Sequence, residues 1–377
     1  MHFSFSRPST GPSISGQMHY LPSSADGYIY ISGHCNGLLL LDLDGHGDHV
    51  VNPATRAWSP VPPPPAFGDD GVPRIFYYQN YLVFDPTLSP YHEVISFPHI
   101  KFHCNLSSYP PAVAEAEWPP STCIFRVFSS RTNRWEERSF VREGEAQATI
   151  LDMRRASVER PYSTYSRGAL YAFCRGDFVI RISMSHNKYR AIKPPVSFDN
   201  IIEIYLGKSE KGVYLASYDY RDDLVQIWML DESCGRMEWM LKHNCDLKYV
   251  LRQNCCQQAG GPWVLHDVNY NFYRHLFPNN IKEAPIEKKY EWDSDNDDVL
   301  GNENRAERHH CGIFYILGFH PFKEVIFFSQ SEERGIAYHW NSSKIQDLGN
   351  MYPIEYEYFS QMCPDIGVAF PYTPCWT

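Results

Sequence analysis

No stretch of this chain approaches the ~18 consecutive apolar residues of a membrane-spanning helix, so no membrane partner is expected. No CxxC pair occurs, and the 11 cysteines follow no framework spacing. Scattered thiols, odd in number, in a chain large enough for its own core point to reduced, mostly buried cysteines. That places the chain in the cytoplasm or nucleus. Basic charge is short: 34 Lys and Arg stand against 44 Asp and Glu, for a net charge of −10. Generic nucleic-acid binding, which needs a basic surface, is therefore not expected. The opening residues lack the apolar segment of a secretory signal. They are Ser-rich, and residues 1–27 are expected to form a disordered tail. The GxSxG, GxGxxG, P-loop and HExxH signatures are all missing. With 28 prolines spread along the chain, long helices are disfavoured, although 196–261 is proline-free.

What is present favours strands. Apolar residues make up 43% of the chain, enough for a substantial core, and aromatics 15%, a tilt toward β structure. Tyr28 to Pro65 reads as a complete small sheet unit. Tyr28 to Ile31 is a β-rich run ending near Gly33. Leu38 to Leu41 is apolar throughout, as in a strand buried on both faces. Asp44 to Gly47 is a turn signal, His49 to Val51 a returning strand stopped by Asn52-Pro53, and Trp58 opens a last strand. A strand covered on both faces, in a unit too small to cover itself, needs similar units on either side.

Such units recur. NPATRAW, SSRTNRW, SMSHNKY, DESCGRMEW and NSSKI each join a strand to a polar turn and then to a large apolar residue. Those residues are Trp58, Trp135, Tyr189, Trp239 and Ile345, with gaps of 77, 54, 50 and 106. The two wide gaps hold degenerate units at 81–97 and around 263–290. Repeats of roughly 40–50 residues with several strands each mark a β-propeller. The fold is thus expected to be all-β, a propeller of six to eight blades; a pair of β-sandwiches fits the period less well. The recurring aromatics are expected in blade cores. Glu143 to Glu159 has helical propensity without a clear apolar stripe, Tyr109 to Pro120 reads as a loop, 283–308 as an acidic loop insertion and Val368 to Tyr372 as a closing strand.

Candidate chemistry is thin. His34, Cys35 and Asn36 bring three catalytic residue types together, but adjacency in sequence is not a triad; Asn36-Gly37 reads as a tight turn. His243, Cys245, Cys255 and Cys256, and separately His309, His310 and Cys311, lack the paired close spacing of a zinc site. Asp293, Asp295, Asp297 and Asp298 resemble a calcium loop, yet Asp298 and Asn304 occupy the positions that need Gly and Glu. No catalytic, cofactor or metal residue is assigned. Tyr77, Tyr78, Trp118, Tyr220 and Tyr273 are candidate aromatic anchors for a binding face.

GHCNGLLLL, VVNPATRAW and the polyproline that follows resemble the first blade of plant F-box-associated, kelch-like propeller proteins. RGALYAFCRGDFVIRISMSHNKYRAIKPP, LGFHPFKEVIFF, RGIAYHWNSSKIQDLGN and FPYTPCW extend the resemblance to Trp376. It implies one propeller domain over 28–377. It also implies a protein-interaction module like the substrate-recognition domain of an SCF-type ubiquitin ligase subunit, a substrate adaptor without cofactor or chemistry of its own. In that family an F-box docks onto a Skp-type adaptor and cullin. Here 1–27 show no leucine- and proline-rich F-box pattern. The binding module is expected without its F-box, so docking of adaptor and cullin is not expected of it. The alternative is a propeller enzyme acting on carbohydrate, with convergent carboxylates, or His and Tyr, at the channel mouth.

Overall fold

A computed structural model describes residues 3–6, 18–21, 27–44, 46–65, 75–101, 109–155, 162–174, 178–196, 202–247, 264–267, 314–330, 334–350 and 369–376. Within them the chain builds five four-stranded antiparallel meanders. Blade 1 comprises Ile29–Cys35, Leu38–Leu43, Gly47–Asn52 and Ala57–Pro60. Blade 2 comprises Phe76–Val83, Glu93–Ile100, Thr122–Ser129 and Arg134–Arg142; blade 3, Ser163–Ser166, Ala169–Cys174, Phe178–Ser183 and Lys188–Ile192. Blade 4 comprises Ile202–Ser209, Gly212–Asp219, Leu224–Asp231 and Glu238–Asp246; blade 5, Phe314–Phe319, Val325–Gln330, Arg334–His339 and Lys344–Asn350. Blades 2 and 3 also meet at their outer edges, where Val141 and Arg142 pair in parallel with Lys188 and Tyr189.

Alternation along the strands stacks the blades. In a strand, successive side chains leave on opposite faces. Leu38 and Leu40 join the core shared with blade 2, while Leu39, Leu41 and Leu43 join the core on the other side of blade 1. Leu170 and Ala172 face blade 2, and Ala169, Tyr171 and Phe173 face blade 4. Val213 and Leu215 face blade 3, and Tyr214, Ala216 and Tyr218 face blade 5. The first strands of the blades lie innermost: that of blade 1 touches those of blades 2 and 3, and that of blade 4 touches those of blades 3 and 5. Sheets stacked face to face around converging inner strands are a β-propeller, as expected.

The turns carry a second repeat. Arg56, Asn133, Asn187 and Ser343 all adopt positive φ, each two residues before Trp58, Trp135, Tyr189 or Ile345. The left-handed residue reverses the chain between the third and fourth strands. In blade 4 a short 3₁₀ turn, Ser233–Gly235, replaces this device, and Gly235 takes the positive φ.

Several expectations need correcting. Tyr189 and Ile345 are buried, but Trp58 is 40% exposed and Trp135 and Trp239 are half-buried. These residues sit on the fourth strand, the outer edge of a blade, where neighbouring blades diverge and cover less. The stretch 81–97 is no separate unit; it is the first hairpin of blade 2. Of 263–290, Val264–Asp267 is described, and it pairs with Phe3–Ser6. That strand, together with buried Met18 and Leu21, gives structure to parts of the expected tail. The region 109–155 holds two short helices, Pro111–Ala114 and Ile150–Arg155, and a small ladder between Glu117–Trp118 and Ala148–Thr149. Thr149 and Asp152 cap each other at the start of the second helix, and its Ile150 and Met153 are buried three residues apart. Residues 369–376 form no strand. The acidic insertion at 283–308, Cys255, Cys256, the His309 to Cys311 group and Tyr273 lie outside the described residues.

Candidate binding face at the channel mouth

The inner strands end on one common face, and hydrogen bonds between blades identify it. Asn36 Nδ2 in blade 1 donates to the Phe84 carbonyl beyond the inner strand of blade 2 (2.6 Å). Arg167 after blade 3's inner strand donates to the Lys211 carbonyl of blade 4 (3.0 Å). Ser209 Oγ of blade 4 reaches the carbonyls of His320 (2.8 Å) and Lys323 (2.9 Å) beside blade 5. Lys211 pairs with Glu324 at 2.6 Å. Hydrogen bonds and an ion pair thus tie the turns of neighbouring blades together at the channel mouth.

The segment 369–376 completes this face between blade 5 and blade 1. Tyr372 OH donates to the Gly37 carbonyl (3.1 Å), and Asn52 Nδ2 donates to the Cys375 carbonyl (2.9 Å). Gly37 has φ +88, and a Cβ there would lie 2.5 Å from Cys375 Cβ. Asn36 also has positive φ, so Asn36-Gly37 is the two-residue hairpin turn read from the sequence. On the other side Gly318 lets Pro371 approach, since a Cβ would meet its Cδ at 2.6 Å.

His34, Cys35, Asn36, Lys208 and Tyr165 gather at the mouth, with Asp85 beside them. Lys208 Nζ donates to Asn36 Oδ1 across the channel. Burial pulls the Lys208 ammonium below the ordinary lysine range, against the opposing pull of Cys35 and Asp85. His34 stacks on Phe370 with ring centroids 3.9 Å apart. Burial and then Lys208 press its pKa down to about 3, so the ring is neutral at pH 7. It keeps partial solvent access, because it is enclosed by protein yet faces the channel. Burial pushes the Cys35 thiol up to about 12, and its sulfur accepts the Phe84 N–H at 3.2 Å. Tyr165 rises to about 12, mainly by burial. A protonated, backbone-bound thiol is no nucleophile. Asp85 is held by Thr87, whose N–H and Oγ1 donate at 3.0 and 2.6 Å, and nearby Glu93 pairs with Arg138 at 3.0 Å.

Around the mouth stand large exposed apolar side chains. Leu88 (75%), Tyr91 (48%), Phe322 (63%) and Trp376 (53%) come from the loops after the inner strands and from the closing segment. Arg131 lies over the Tyr91 ring, 5.8 Å from its centroid. The aromatics singled out in the sequence lie elsewhere. Tyr77 and Tyr78 belong to the far end of blade 2's inner strand, where Tyr77 stacks on His99 and Arg126 lies over Tyr78. Trp118 is buried against Phe76. Tyr220 occupies a turn at the opposite face and donates to Glu203 at 3.3 Å. His243 and Cys245, weighed as metal ligands, lie at the boundary with blade 5; His243 is 2.7 Å from Tyr338 OH. Most of the missed residues had a legible signal: DPTLSPYH and HPFKE are proline-marked polar loops that carry large apolar residues, Leu88 and Tyr91 in the first and Phe322 in the second.

No protein-family model and no curated protein matches the chain. Among solved structures it is similar to Hsv2p of Kluyveromyces lactis, with 12% identity, a TM-score of 0.25 and coverage of 57% of this chain and 60% of that one. Hsv2 of Kluyveromyces marxianus gives 10% identity, a TM-score of 0.21 and coverage of 57% and 84%. The chain thus spans less than two thirds of the first of these. Likeness at that level is not what assigns the fold; the stacking of the blades is. No helix of the described residues is long and apolar enough to cross a membrane.

Proposed function

We propose that this chain is a protein-interaction module that captures a protein partner on the loop face around the channel mouth. The carrying observation is that Leu88, Tyr91, Phe322 and Trp376 are all exposed on the face whose turns are tied by hydrogen bonds. Aromatic anchors on a pre-organised surface dominate interface energetics, because little conformational entropy is lost when they dock. The resemblance in the sequence motifs extends the proposal to the substrate-recognition part of an SCF-type ubiquitin ligase subunit, working without catalysis. The described thiols Cys35, Cys123, Cys174 and Cys245 are free, in keeping with the cytoplasm or nucleus.

The carbohydrate-enzyme alternative draws on His34 and Tyr165 at the mouth. It is the weaker reading, because most glycoside hydrolases place two carboxylates across the scissile bond. Here Asp85 and Glu93 are engaged with Thr87 and Arg138. Affinity purification of the tagged full-length chain, with mass spectrometry, tests the proposal. A reproducible partner is expected, and its recovery should fall at least about tenfold in Tyr91→Ala/Phe322→Ala, the loss of two anchors. Undiminished recovery would sink the loop-face reading. Co-purifying Skp-type adaptor and cullin would support the ligase role; a partner without them would leave a free-standing binder.

A further inference from the structure

We propose that the channel mouth is a carboxylate-binding site in which Lys208 receives an acidic side chain of the protein docked on the loop face. The inference rests on the protein-binding reading above and names the chemistry at its centre.

Lys208 projects from blade 4's inner strand, and its ammonium crosses to the blade 1 turn. There it meets the Asn36 side-chain oxygen, a neutral acceptor. An ammonium carries three N–H donors, and Asn36 accepts one. Among the described residues no carboxylate forms an ion pair with Lys208. Asp85 acts on it from farther away, and its Oδ1 is occupied by Thr87. Holding a cation away from water with only a more distant carboxylate to balance it is costly, and proteins tend to carry such costs at functional positions. His34 adds no charge, being neutral against Phe370. The amide nitrogen of Asn36 is also taken, since Nδ2 donates to the Phe84 carbonyl. What is left is a half-buried ammonium with free donors, on the same face as exposed Tyr91, Phe322 and Trp376.

One ammonium suits a singly charged carboxylate. Phosphate recognition usually uses arginine forks or several cations, and on this face Arg167 and Lys211 are already engaged, with the Lys211 carbonyl and Glu324. The rim of Tyr91, Phe322 and Trp376 would exclude water once a partner docks, which strengthens the charged hydrogen bond.

A purely structural role is the competing explanation: Lys208 would simply staple blade 4 to blade 1. Lys208→Met separates the two. A staple predicts a lower melting temperature. A binding site predicts an unchanged or higher one, because a half-buried charge with no close counter-ion is gone.

The binding test uses the full chain and a fluorescein-labelled, blocked pentapeptide, Ala-Phe-Glu-Phe-Ala, with its glutamine isostere. Fluorescence anisotropy should show the glutamate peptide binding at least about tenfold tighter, the effect of one charged hydrogen bond. The preference should vanish in Lys208→Met and persist in Lys208→Arg, with inorganic phosphate competing no better than acetate. Wild type without a glutamate preference, a preference kept by Lys208→Met, or displacement by phosphate ahead of acetate would each overturn the site. The protein-binding reading is judged separately, by partner recovery in Tyr91→Ala/Phe322→Ala. Full recovery in Lys208→Met with loss in the double variant would leave the module and remove the site.

Discussion

His34 and Cys35 are neighbours in sequence, yet their side chains leave the strand in opposite directions. Cys35 enters the core toward blade 2, and His34 turns to Phe370. A catalytic pair is ruled out by strand geometry rather than by residue type. The same burial makes a testable pH dependence. The folded-state pKa of His34 is depressed to about 3, and the unfolded chain binds its proton near 6.5. Stability from this residue is therefore fully present above the unfolded value and is lost as pH falls toward 3. His92, pulled by burial to about 4, acts in the same direction. Urea midpoints should drop between pH 6.5 and 4. His34→Phe, which keeps a stacking ring and cannot titrate, should flatten that drop; an equal slope in both proteins would refute the assignment. Cys35 should likewise resist iodoacetamide in the native protein at pH 8, where its thiol remains protonated.

The closing segment shows what one element does for the ring. Residues 369–376 gain no sheet ladder and are held by side chains: Tyr372 on Gly37 and Asn52 on Cys375. Asn52 also accepts the N–H groups of Ala54 (3.1 Å) and Thr55 (3.3 Å), so one side chain shapes the turn and grips the segment. Asn52→Ala should cost about 1–3 kcal/mol, the penalty for buried polar groups left unpaired. Gly37→Ala should cost a comparable 1–3 kcal/mol, roughly the strain of positive φ in a residue with a Cβ, and should loosen the segment. Calorimetry checks both. Limited proteolysis at 369–376 checks the second: cleavage no faster than in wild type would mean that the turn yields instead of the segment. Val368 to Tyr372 read as a closing strand; Pro371 and Pro374, which cannot donate to a ladder, explain why the contact is made by side chains.

Across the whole molecule, stability should follow the radius of the propeller. Second strands such as Leu38–Leu43, Ala169–Cys174 and Gly212–Asp219 are covered on both faces. The fourth strand Ala57–Pro60 is mostly exposed. Amide exchange should be slowest in the former and fastest in the latter, because local opening costs least where little apolar surface is buried. Uniform protection across each blade would contradict this picture. Much of the architecture was legible beforehand: the leucine run announced a doubly covered strand, and the polar turns announced the repeat. Blade 2 was harder, because 101–121 separates its second and third strands and breaks the period.

By itself the sequence determined the local events. Period-two apolar runs decide which side chains pair off to each neighbour, and Asn-Gly or a polar left-handed residue decides where each strand reverses. Those choices depend on φ and on alternation, which act over a few residues. Only the tertiary structure decided the site. Lys208 and Asn36 are 172 positions apart and meet because closing the ring brings the ends of the inner strands to one mouth. Leu88, Tyr91, Phe322 and Trp376 read as unrelated loop residues until the same closure sets them around it. No local pattern carries that information, since the convergence comes from stacking whole blades.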